Sequence, residues 1–413
     1  MSNLSAIIPD QAVILAAGEC SRFIPFNSRP GHKCNFVLQN EPLISATVKS
    51  LQKAGIKEII IVKSPSDELL EKSLAGVDRS HTRIVFRVQD RPSGMARAIL
   101  AVSDCLADRF LVVNPQHLNI HDHLKNLHSD SVCLFCQTTN DPQKYGILGL
   151  SGSRVTQVVE KPGDLTGLSD QRVIGIYILN TTFLDFMRRK ILSTPPAEYE
   201  LEAALNDYAS ASEIIAVSTS FPALTLKYPW DLFPLADYRF SQFSPTPQIH
   251  PTAQIHPTAI VTGPVVIAAG ARVYEYTVIQ GPCFIGENAL VGSFCKLRSG
   301  TVLESGAQVE GYAEVKNSLV GASTHIHSGF IGDSVIGDHV RIGAGFITGN
   351  RRLDRCAIRV PVKNQLIDSQ TTYLGCFVGD SVRIGIHCGT NPGVIIPAGT
   401  SVLPQTLVSS PII

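Results

Sequence analysis

The sequence lacks net charge, because 35 Lys and Arg residues balance 35 Asp and Glu residues and only 17% of the chain is charged. A balanced chain has no broad basic surface, which argues against partners such as nucleic acid or an acidic membrane. No apolar run reaches the roughly 20 residues of a membrane span. The first residues also lack the basic region and apolar core of a secretory signal. We therefore expect a cytoplasmic protein that binds neither nucleic acid nor membrane.

Cysteine and histidine are present without the spacing of a metal or disulfide site. Ten cysteines in 413 residues are too few for a disulfide framework, and reduced thiols are expected. Cys133 and Cys136 form a C-x-x-C in an apolar, strand-like run with no second pair at ligand spacing, which favours buried thiols. Four histidines crowd one segment, but no Cys or acid completes a tetrahedral set, so we interpret the segment as a polar loop. They are His117, His121, His123 and His128.

An aliphatic residue recurs at every sixth position from Ile249 to Val315 without a miss. This period is neither that of a helix nor that of a strand. It is typical of a triangular solenoid, in which three hexads close one coil of about 18 residues. The repeat slips after Val315, resumes at Phe330, and is broken over residues 349–375, which we interpret as an arm leaving one corner. We predict a left-handed parallel β-helix of hexapeptide repeats over residues 248–413.

The first 228 residues show strands that alternate with helices, which is typical of a doubly wound, Rossmann-like α/β domain. A connecting helix and linker are predicted over residues 229–247. The predicted strands are Gln11–Ala17, Glu58–Val62, Arg83–Val88, Arg109–Val113, Val132–Gln137, Val155–Glu160 and Val173–Leu179. The predicted helices are Leu43–Ala54, Asp67–Leu74, Ala96–Leu106, Glu200–Tyr208 and, in the connection, Tyr228–Phe240.

Three motifs in this domain resemble those of the sugar-1-phosphate nucleotidylyltransferases. They are Leu-Ala-Ala-Gly-Glu-Cys-Ser-Arg from Leu15, the segment from Gln89 to Ile99, and the group Tyr145-Gly146 with Glu160-Lys161-Pro162. A loop at a strand end offers backbone N–H groups to phosphates, and Arg and Lys neutralise their charge. The resemblance implies a nucleotide site of Ala17, Gly18, Arg22, Lys33, Gln89 and Gly94. It also implies a sugar site of Gly146, Glu160 and Lys161.

The metal motif of that family departs from its pattern here. The family holds Mg²⁺ with an aspartate after a strand, at the place where this chain has Gln116. A neutral amide should bind Mg²⁺ far more weakly than a carboxylate. The resemblance therefore implies Mg²⁺ as a cofactor only if this domain is active, and we predict no metal site and weak or absent nucleotidyl transfer. The open alternative is a substitute ligand, either Asp231 or His117 with Asp122.

Two basic residues of the solenoid, Arg298 and Lys316, stand 18 residues apart, which is one coil. They should stack on one face, where two neighbouring cations suit a phosphate and would repel each other without an anion. Next come His325 and His327, and then the segment from Ile342 to Asn350. An imidazole is suited to accept a proton near neutral pH, so either histidine is a candidate base.

This region resembles the acetyltransferase half of the bifunctional N-acetylglucosamine-1-phosphate uridyltransferase / glucosamine-1-phosphate N-acetyltransferase family, especially its archaeal-type relatives. The resemblance implies that His327 is the general base and that His325 is its competitor. It implies a sugar-phosphate site of Arg298, Lys316, Phe330 and Arg341, the last two replacing a tyrosine and an asparagine of the family. Ala344 and Asn350 would lie by the sugar and acetyl-CoA, and a homotrimer with sites between subunits is implied.

Three functions follow as hypotheses. The first is acetyl-CoA-dependent N-acetylation of an amino-sugar-1-phosphate, glucosamine-1-phosphate by the resemblance, in nucleotide-sugar biosynthesis. The second adds transfer of UMP or dTMP from UTP or dTTP to a sugar-1-phosphate, which would give UDP-N-acetylglucosamine or a related product. The third is a regulatory or scaffold protein whose two halves bind ligands without catalysis.

Overall fold

The structure is a computed structural model that describes residues 8–192 and 200–411. The chain separates into two compact units, each with its own core. The first unit takes residues up to 19, 30–35 and 42–225, and the second takes 20–29, 36–41 and everything from 226 onward. Pro195 and Pro196, which interrupt the pattern of elements before the predicted helix Glu200–Tyr208, lie outside the described residues.

The first unit is built on a nine-stranded mixed sheet in the order β5-β4-β1-β6-β10-β7-β11-β9-β8. Strands β1, β4, β5 and β6 run parallel, and β10 is antiparallel to both β6 and β7. Its strands are β1 Gln11–Ala16, β4 Glu58–Lys63, β5 Arg83–Val88, β6 Arg109–Val113, β7 Val132–Thr138, β8 Gly146–Ser151, β9 Arg154–Glu160, β10 Gln171–Asn180 and β11 Ile214–Ser218; the short pair β2 Val37–Leu38 and β3 Glu41–Pro42 stands apart. Continuous apolar runs form the central strands because both sheet faces are covered.

Helices pack on this sheet, and the prediction of a doubly wound α/β domain is confirmed. They are α1 Leu43–Lys53, α2 Leu69–Ser73, α3 Met95–Leu100, α4 Ile120–His123, α5 Thr181–Leu192 and α6 Glu200–Ala211. The predicted helix Ala96–Leu106 is wrong in its second half, where Ser103–Cys105 forms a 3₁₀ turn. Ser and Asp compete with the helix for backbone hydrogen bonds, which explains the early end. No helix of the described ranges is long and apolar enough to cross a bilayer.

The second unit contains α7 Leu232–Phe240 and a solenoid of three eight-stranded parallel sheets. Each coil gives one strand to each sheet, as the six-residue period predicts. The first sheet has β12 Gln248–Ile249, β15 Val265–Ile267, β18 Cys283–Ile285, β21 Thr301–Leu303, β24 Leu319–Val320, β27 Val335–Ile336, β32 Phe377–Val378 and β35 Ile395–Ile396. The second has β13 Gln254–Ile255, β16 Arg272–Val273, β19 Leu290–Val291, β22 Gln308–Val309, β25 His325–Ile326, β28 Arg341–Ile342, β33 Arg383–Ile384 and β36 Ser401–Val402. The third has β14 Ile260–Thr262, β17 Val278–Gln280, β20 Lys296–Leu297, β23 Ala313–Lys316, β26 Gly329–Gly332, β29 Phe346–Thr348, β34 Gly389–Thr390 and β37 Leu407–Val408.

The aliphatic residues of the repeat stack inside the solenoid, so the predicted β-helix is confirmed. Leu297 pairs with Val315 one coil on, and both are fully buried. Ile249 is 47% exposed, because it lies in the first coil and has a neighbouring coil on one side only.

The position at which the repeat resumes was predicted wrongly. Val315 pairs with Ile331, which is fully buried, whereas the predicted inward residue Phe330 lies outward and half-buried. Two hexads in this coil are one residue shorter, so the pairing distance falls from 18 to 16 residues. Because successive strand residues alternate faces, a one-residue shift turns Phe330 outward.

Residues 349–375 form the predicted arm between β29 and β32. The arm contains an antiparallel hairpin of β30 Arg359–Val362 and β31 Gln365–Asp368. After it, Val378 and Ile384 are buried again and pair with the preceding coil. The arm is therefore an insertion into an otherwise continuous solenoid.

Candidate functional site

A groove of about 520 Å³ lies on the solenoid where β25, β28 and β33 meet the following corner. Its lining includes three predicted site residues, His327, Arg341 and Ala344, together with the competing base His325. The other lining residues are Ile342, Gly343, Arg383, Ile384 and Ile386. The groove thus combines imidazole groups, two arginines and an apolar wall.

Both histidines of the groove contact the same carboxylate. One oxygen of Glu310, Oε1, lies 2.5 Å from Nε2 of His325, and the other, Oε2, lies 2.5 Å from Nδ1 of His327. The side chain of His325 is 25% exposed and that of His327 is 60% exposed. Nδ1 of His327 is therefore held in place by Glu310, while Nε2 stays open to the groove.

Two arginines stand in a column beside the histidines. His325, Arg341 and Arg383 pair in register on consecutive coils, on the outward face of one sheet. Nη1 of Arg341 lies 2.7 Å from Nδ1 of His325. Arg383 is exposed and makes no ion pair with any residue in the described part of the chain. The column offers positive charge to an anionic ligand in the groove.

Arg298 and Lys316 lie on one face of the solenoid, as their 18-residue spacing predicts. Each cation already has its own carboxylate: Arg298 Nη1 lies 2.9 Å from Glu314, and Lys316 Nζ lies 3.1 Å from Asp333. The expectation that two uncompensated cations need a bound anion is therefore wrong, since carboxylates offset their repulsion. Asp333 is almost fully buried, at 3% side-chain exposure, whereas Glu314 is 36% exposed.

Three side chains of the arm, those of Asn350, Arg351 and Tyr373, complete the surroundings of Lys316. Nδ2 of Asn350 donates to Asp333 at 2.6 Å, beside the Lys316 contact. The centroid of the Tyr373 ring lies 4.7 Å from Lys316 Nζ and 4.7 Å from the Arg351 guanidinium, so the ring contacts two cations. The arm is thereby fixed against the same surface as Lys316.

The predicted residues thus form two groups on the solenoid. Lys316 pairs with Gly332 at the end of β26, whereas His327 precedes Gly329 at its start. The three strand steps between these glycines span about 10 Å. Within one chain, the structure brings His327 together with Arg341 and Ala344, and it places Arg298, Lys316, Phe330 and Asn350 outside the groove lining.

Three predicted nucleotide-binding residues of the first unit lie around the loop after β1. Ala17 is buried, Gly18 is exposed, and a Cβ on Gly18 would lie 3.8 Å from Nε2 of His32. Lys33 lies beside His32, whose pKa burial lowers to about 3, with Lys33 adding to the effect. Arg22 is exposed and belongs to segment 20–29 of the second unit.

The predicted nucleotide-binding segment that begins at Gln89 is partly buried. Nε2 of Gln89 donates to Ser93 Oγ at 3.1 Å, and Gln89 is 8% exposed. Gly94 has a φ of 93°, a left-handed conformation that favours glycine, and it begins α3. Gly94 is exposed, so the start of α3 is open to solvent.

The place of the expected metal ligand holds amides. Asn114 and Gln116 follow β6, and a Cβ on Gly175 would collide with the Asn114 side chain. No cluster of three or more His, Cys, Asp or Glu side chains that could hold a metal occurs within residues 8–192 and 200–411. Neutral amides are poor ligands for Mg²⁺, so the residues present do not fit that ion.

The four clustered histidines do not form the polar loop that the sequence suggested. His117 and His123 are fully buried, with ring centroids 6.4 Å apart. Burial lowers the pKa of His117 to about 3 and that of His123 to about 4. The neighbouring His123 ring lowers the pKa of His117 further. His121 contacts Ser50 at 2.9 Å and Asp122 at 3.4 Å, and His128 contacts a backbone carbonyl. The open alternative of His117 with Asp122 is not supported, since Asp122 contacts His121 and Lys125.

The predicted sugar-site residues of the first unit are neighbours. Gly146 pairs with Glu160, and a Cβ on Gly146 would lie 2.9 Å from the Glu160 carboxylate. Lys161 Nζ lies 4.0 Å from that carboxylate, and the Lys161 backbone has a φ of 47°. The structure therefore brings Gly146, Glu160 and Lys161 together, and substitution of Gly146 would disturb Glu160.

Glu310, Arg383 and Ile386 were missed by sequence reasoning. Glu310 precedes His327 by about one coil, since its backbone N–H donates to Ile326. A search for acids one coil away from each histidine would have found it, once the shortened coil was known. Arg383 follows the arm, and its register with Arg341 is hidden by that insertion.

Comparison with known proteins gives one family match in the first part of the chain and another in the solenoid. Residues 11–219 match the nucleotidyl transferase family, and residues 261–367 match the GMPPB C-terminal domain family. A bifunctional sugar-1-phosphate nucleotidylyltransferase/acetyltransferase from Sulfurisphaera tokodaii is 27% identical over 97% of both chains. The bifunctional protein GlmU from Methanocaldococcus jannaschii is 25% identical over 93% of this chain and 91% of its own.

Among solved structures, a UDP-glucose pyrophosphorylase from Acinetobacter baumannii aligns at a TM-score of 0.47 and 19% identity, over 56% of this chain and 94% of that one. The family match covers half of the chain, and the bifunctional relatives align with both of its units. The chain therefore belongs to the nucleotidyl transferase family, is a transferase, and has the two-part organisation of its bifunctional nucleotidylyltransferase/acetyltransferase relatives.

Proposed function

We propose that the solenoid transfers the acetyl group of acetyl-CoA to the amine of an amino-sugar-1-phosphate, with glucosamine-1-phosphate as the first substrate to test. The observation that carries this proposal is the contact between His327 and Glu310 at 2.5 Å in an open groove. A carboxylate that accepts from Nδ1 of an imidazole leaves Nε2 unprotonated and able to act as a base. His327 is then the general base.

The reaction follows from this arrangement. The amine nitrogen attacks the carbonyl carbon of the thioester while its proton passes to Nε2 of His327, and the carbon–sulfur bond then breaks. The coenzyme A thiolate leaves and takes the proton from His327, which restores the base. Glu310 stabilises the imidazolium that forms between these two steps.

The groove also suits the donor. Coenzyme A has an uncharged pantetheine chain that leads to its phosphates, and the groove offers exposed Ile386 next to Arg341 and Arg383. Arginines are well suited to phosphate oxygens. Ala344 leaves room at the corner beside His327, as its small side chain lines the same groove.

The proposal includes a homotrimer. Arg298, Lys316 and Asn350 lie outside the groove of their own chain, so they serve the reaction if a neighbouring copy brings them to it. Flat solenoid sides can pack around a threefold axis and place one copy's cations beside another's groove. Light scattering on the purified protein measures the assembly, and a stable monomer would remove this part of the proposal.

The test is release of free coenzyme A thiol from acetyl-CoA. We expect release with glucosamine-1-phosphate and none with glucose-1-phosphate, which has the same phosphate but no amine. Galactosamine-1-phosphate tests the sugar epimer. A protein inert toward every hexosamine-1-phosphate would contradict the proposal and favour a regulatory or scaffold function.

A second function, nucleotidyl transfer by the first unit, is supported by similarity to bifunctional relatives over the whole chain. Gln116 argues that this activity is weak, because the amide does not fit Mg²⁺. Pyrophosphate release from UTP or dTTP with a sugar-1-phosphate and Mg²⁺ measures it. The localisation and the 228-residue domain boundary of the sequence analysis stay predictions.

A further inference from the structure

Hydrogen bonds link Arg341 to His325 and His325 to Glu310, and an ion-pair contact extends this chain from Glu310 to His327. Arg341 contacts Nδ1 of His325 at 2.7 Å, and Nε2 of His325 contacts Oε1 of Glu310 at 2.5 Å. Oε2 of Glu310 contacts Nδ1 of His327, also at 2.5 Å. Within residues 8–192 and 200–411, three ring nitrogens of the two histidines make polar contacts, whereas Nε2 of His327 makes none.

The first member of this chain fixes the direction of the others. An arginine has only donors, so Nδ1 of His325 must accept from Arg341 and cannot carry a proton. The proton of neutral His325 is then on Nε2, where it donates to Glu310. His325 has no lone pair left for a substrate proton, which removes it as the competing base.

The last member follows in the same way. An ionised carboxylate can only accept, so the contact with Oε2 of Glu310 requires Nδ1 of His327 to carry the proton. We propose that Arg341 and His325 are positioning residues, which orient the Glu310 carboxylate toward Nδ1 of His327 and so support the tautomer whose Nε2 is free. This inference rests on the proposed acetyl transfer for its meaning, although the tautomer itself can be measured without any activity.

Glu310→Gln tests the direction of the chain, since an amide offers one acceptor and one donor. Arg341 still forces His325 to donate from Nε2, so the amide oxygen must face His325. The amide NH₂ then faces His327 and forces its proton onto Nε2. We expect kcat at saturating substrates to fall by about 100-fold or more, as for loss of a general base.

The double variant Glu310→Gln with Arg341→Met separates this inference from general damage to the site, because a second damaging substitution would only lower kcat further. Without the arginine, His325 can protonate Nδ1 and accept from the amide NH₂, so the amide oxygen turns to His327. We expect kcat at least about 10-fold above that of Glu310→Gln, while Arg341→Met alone lowers kcat by less than about 10-fold. A double variant as slow as Glu310→Gln, or an active Glu310→Gln, would overturn the inference.

A second readout separates this inference from the proposed function. Two-bond proton–nitrogen spectra of protein labelled with ¹⁵N-histidine report the tautomer of each ring. We expect His327 protonated on Nδ1 in the wild type and on Nε2 in Glu310→Gln, with His327→Gln identifying the signal. The opposite tautomer in the wild type would overturn the inference even if acetyl transfer is observed. The expected tautomers in a protein that transfers no acetyl group would contradict only the proposed function. Circular dichroism and light scattering confirm that each variant keeps its fold and assembly.

Discussion

Oε2 of Glu310 lies 2.5 Å from Nδ1 of His327, at the edge of a groove that holds two arginines and an isoleucine wall. This contact joins two coils of the solenoid and turns an exposed histidine into an oriented one. A carboxylate behind an imidazole is a common way to fix a tautomer and to stabilise the imidazolium formed during proton transfer. The proposed chemistry depends on it more than on any other contact in the chain.

Gln116→Asp should raise Mg²⁺-dependent pyrophosphate release by at least about 10-fold over the wild type, because a carboxylate replaces an amide at the expected metal position. Gln116→Asn is the matched control, since it has the same length as aspartate without its charge. The rates are measured with UTP or dTTP and a sugar-1-phosphate. Equal rates in the two variants would show that the missing carboxylate is not what limits this unit.

The first unit should lose stability in mild acid. Burial lowers the folded-state pKa of His32 and His117 to about 3 and that of His123 to about 4. In the unfolded chain these rings become protonated near pH 6.5. Below that pH the unfolded state therefore binds more protons than the folded state, and the free energy of unfolding decreases as the pH is lowered. Each group contributes up to about 1.4 kcal/mol per pH unit between about 6.5 and its folded pKa.

Urea unfolding followed by circular dichroism at pH 8, 6.5 and 5 measures this loss. His117→Leu should make the dependence shallower, whereas His128→Ala should not, because His128 has an exposed contact to a backbone carbonyl. If the free energy of unfolding were constant from pH 8 to 5, the three rings would not be held neutral by burial.

Lys316→Met should lower the free energy of unfolding by about 1–3 kcal/mol, because it leaves the buried Asp333 without its cation. The loss is limited because Asn317 and Asn350 still donate to that carboxylate. Arg298→Met is the matched control and should cost less than about 1 kcal/mol, since its partner Glu314 is 36% exposed. Equal losses in thermal or urea unfolding would contradict this account of the two ion pairs.

Gly329→Ala should destabilise the solenoid by about 2 kcal/mol or more. Gly329 has a φ of 130°, and a Cβ there would collide with the backbone carbonyl of buried Phe346 on the next coil. Gly311→Ala, two residues before the partner of Gly329 on the preceding coil, is the control, because its Cβ would meet a single atom at 3.4 Å. Chemical unfolding compares the free energies of the two variants. A Gly329→Ala protein as stable as the wild type would show that the backbone beside His327 can shift to make room for the Cβ.

The sequence was sufficient for the architecture but not for the details of the site. The six-residue period fixed the coils and their core because aliphatic stacking dominates a solenoid. It misplaced Phe330 because the inward residues Ile331 and Ile336 stand five residues apart and not six, which apolar spacing alone does not reveal. Family motifs pointed to His327, but Glu310 was missed, because acids on a surface become partners only when coil pairing is known.

Hydrogen-bond partners were the other limit. Spacing placed Arg298 and Lys316 on one face, yet it did not reveal that Glu314 and Asp333 neutralise them. Likewise, four histidines near one another suggested a polar loop, although His117 and His123 pack into the core of the first unit. The position of a polar residue along the chain does not show whether it faces solvent, a partner or the interior.

The most direct measurement is coenzyme A release with glucosamine-1-phosphate, compared between His327→Ala and His325→Ala. Removing the base should lower kcat/KM by about 100-fold or more. Removing His325 should cost far less, because Glu310 still holds His327. Both variants should keep the wild-type assembly by light scattering. The account would be contradicted by a His327→Ala protein that works at the wild-type rate, or by a His325→Ala protein that suffers the larger loss.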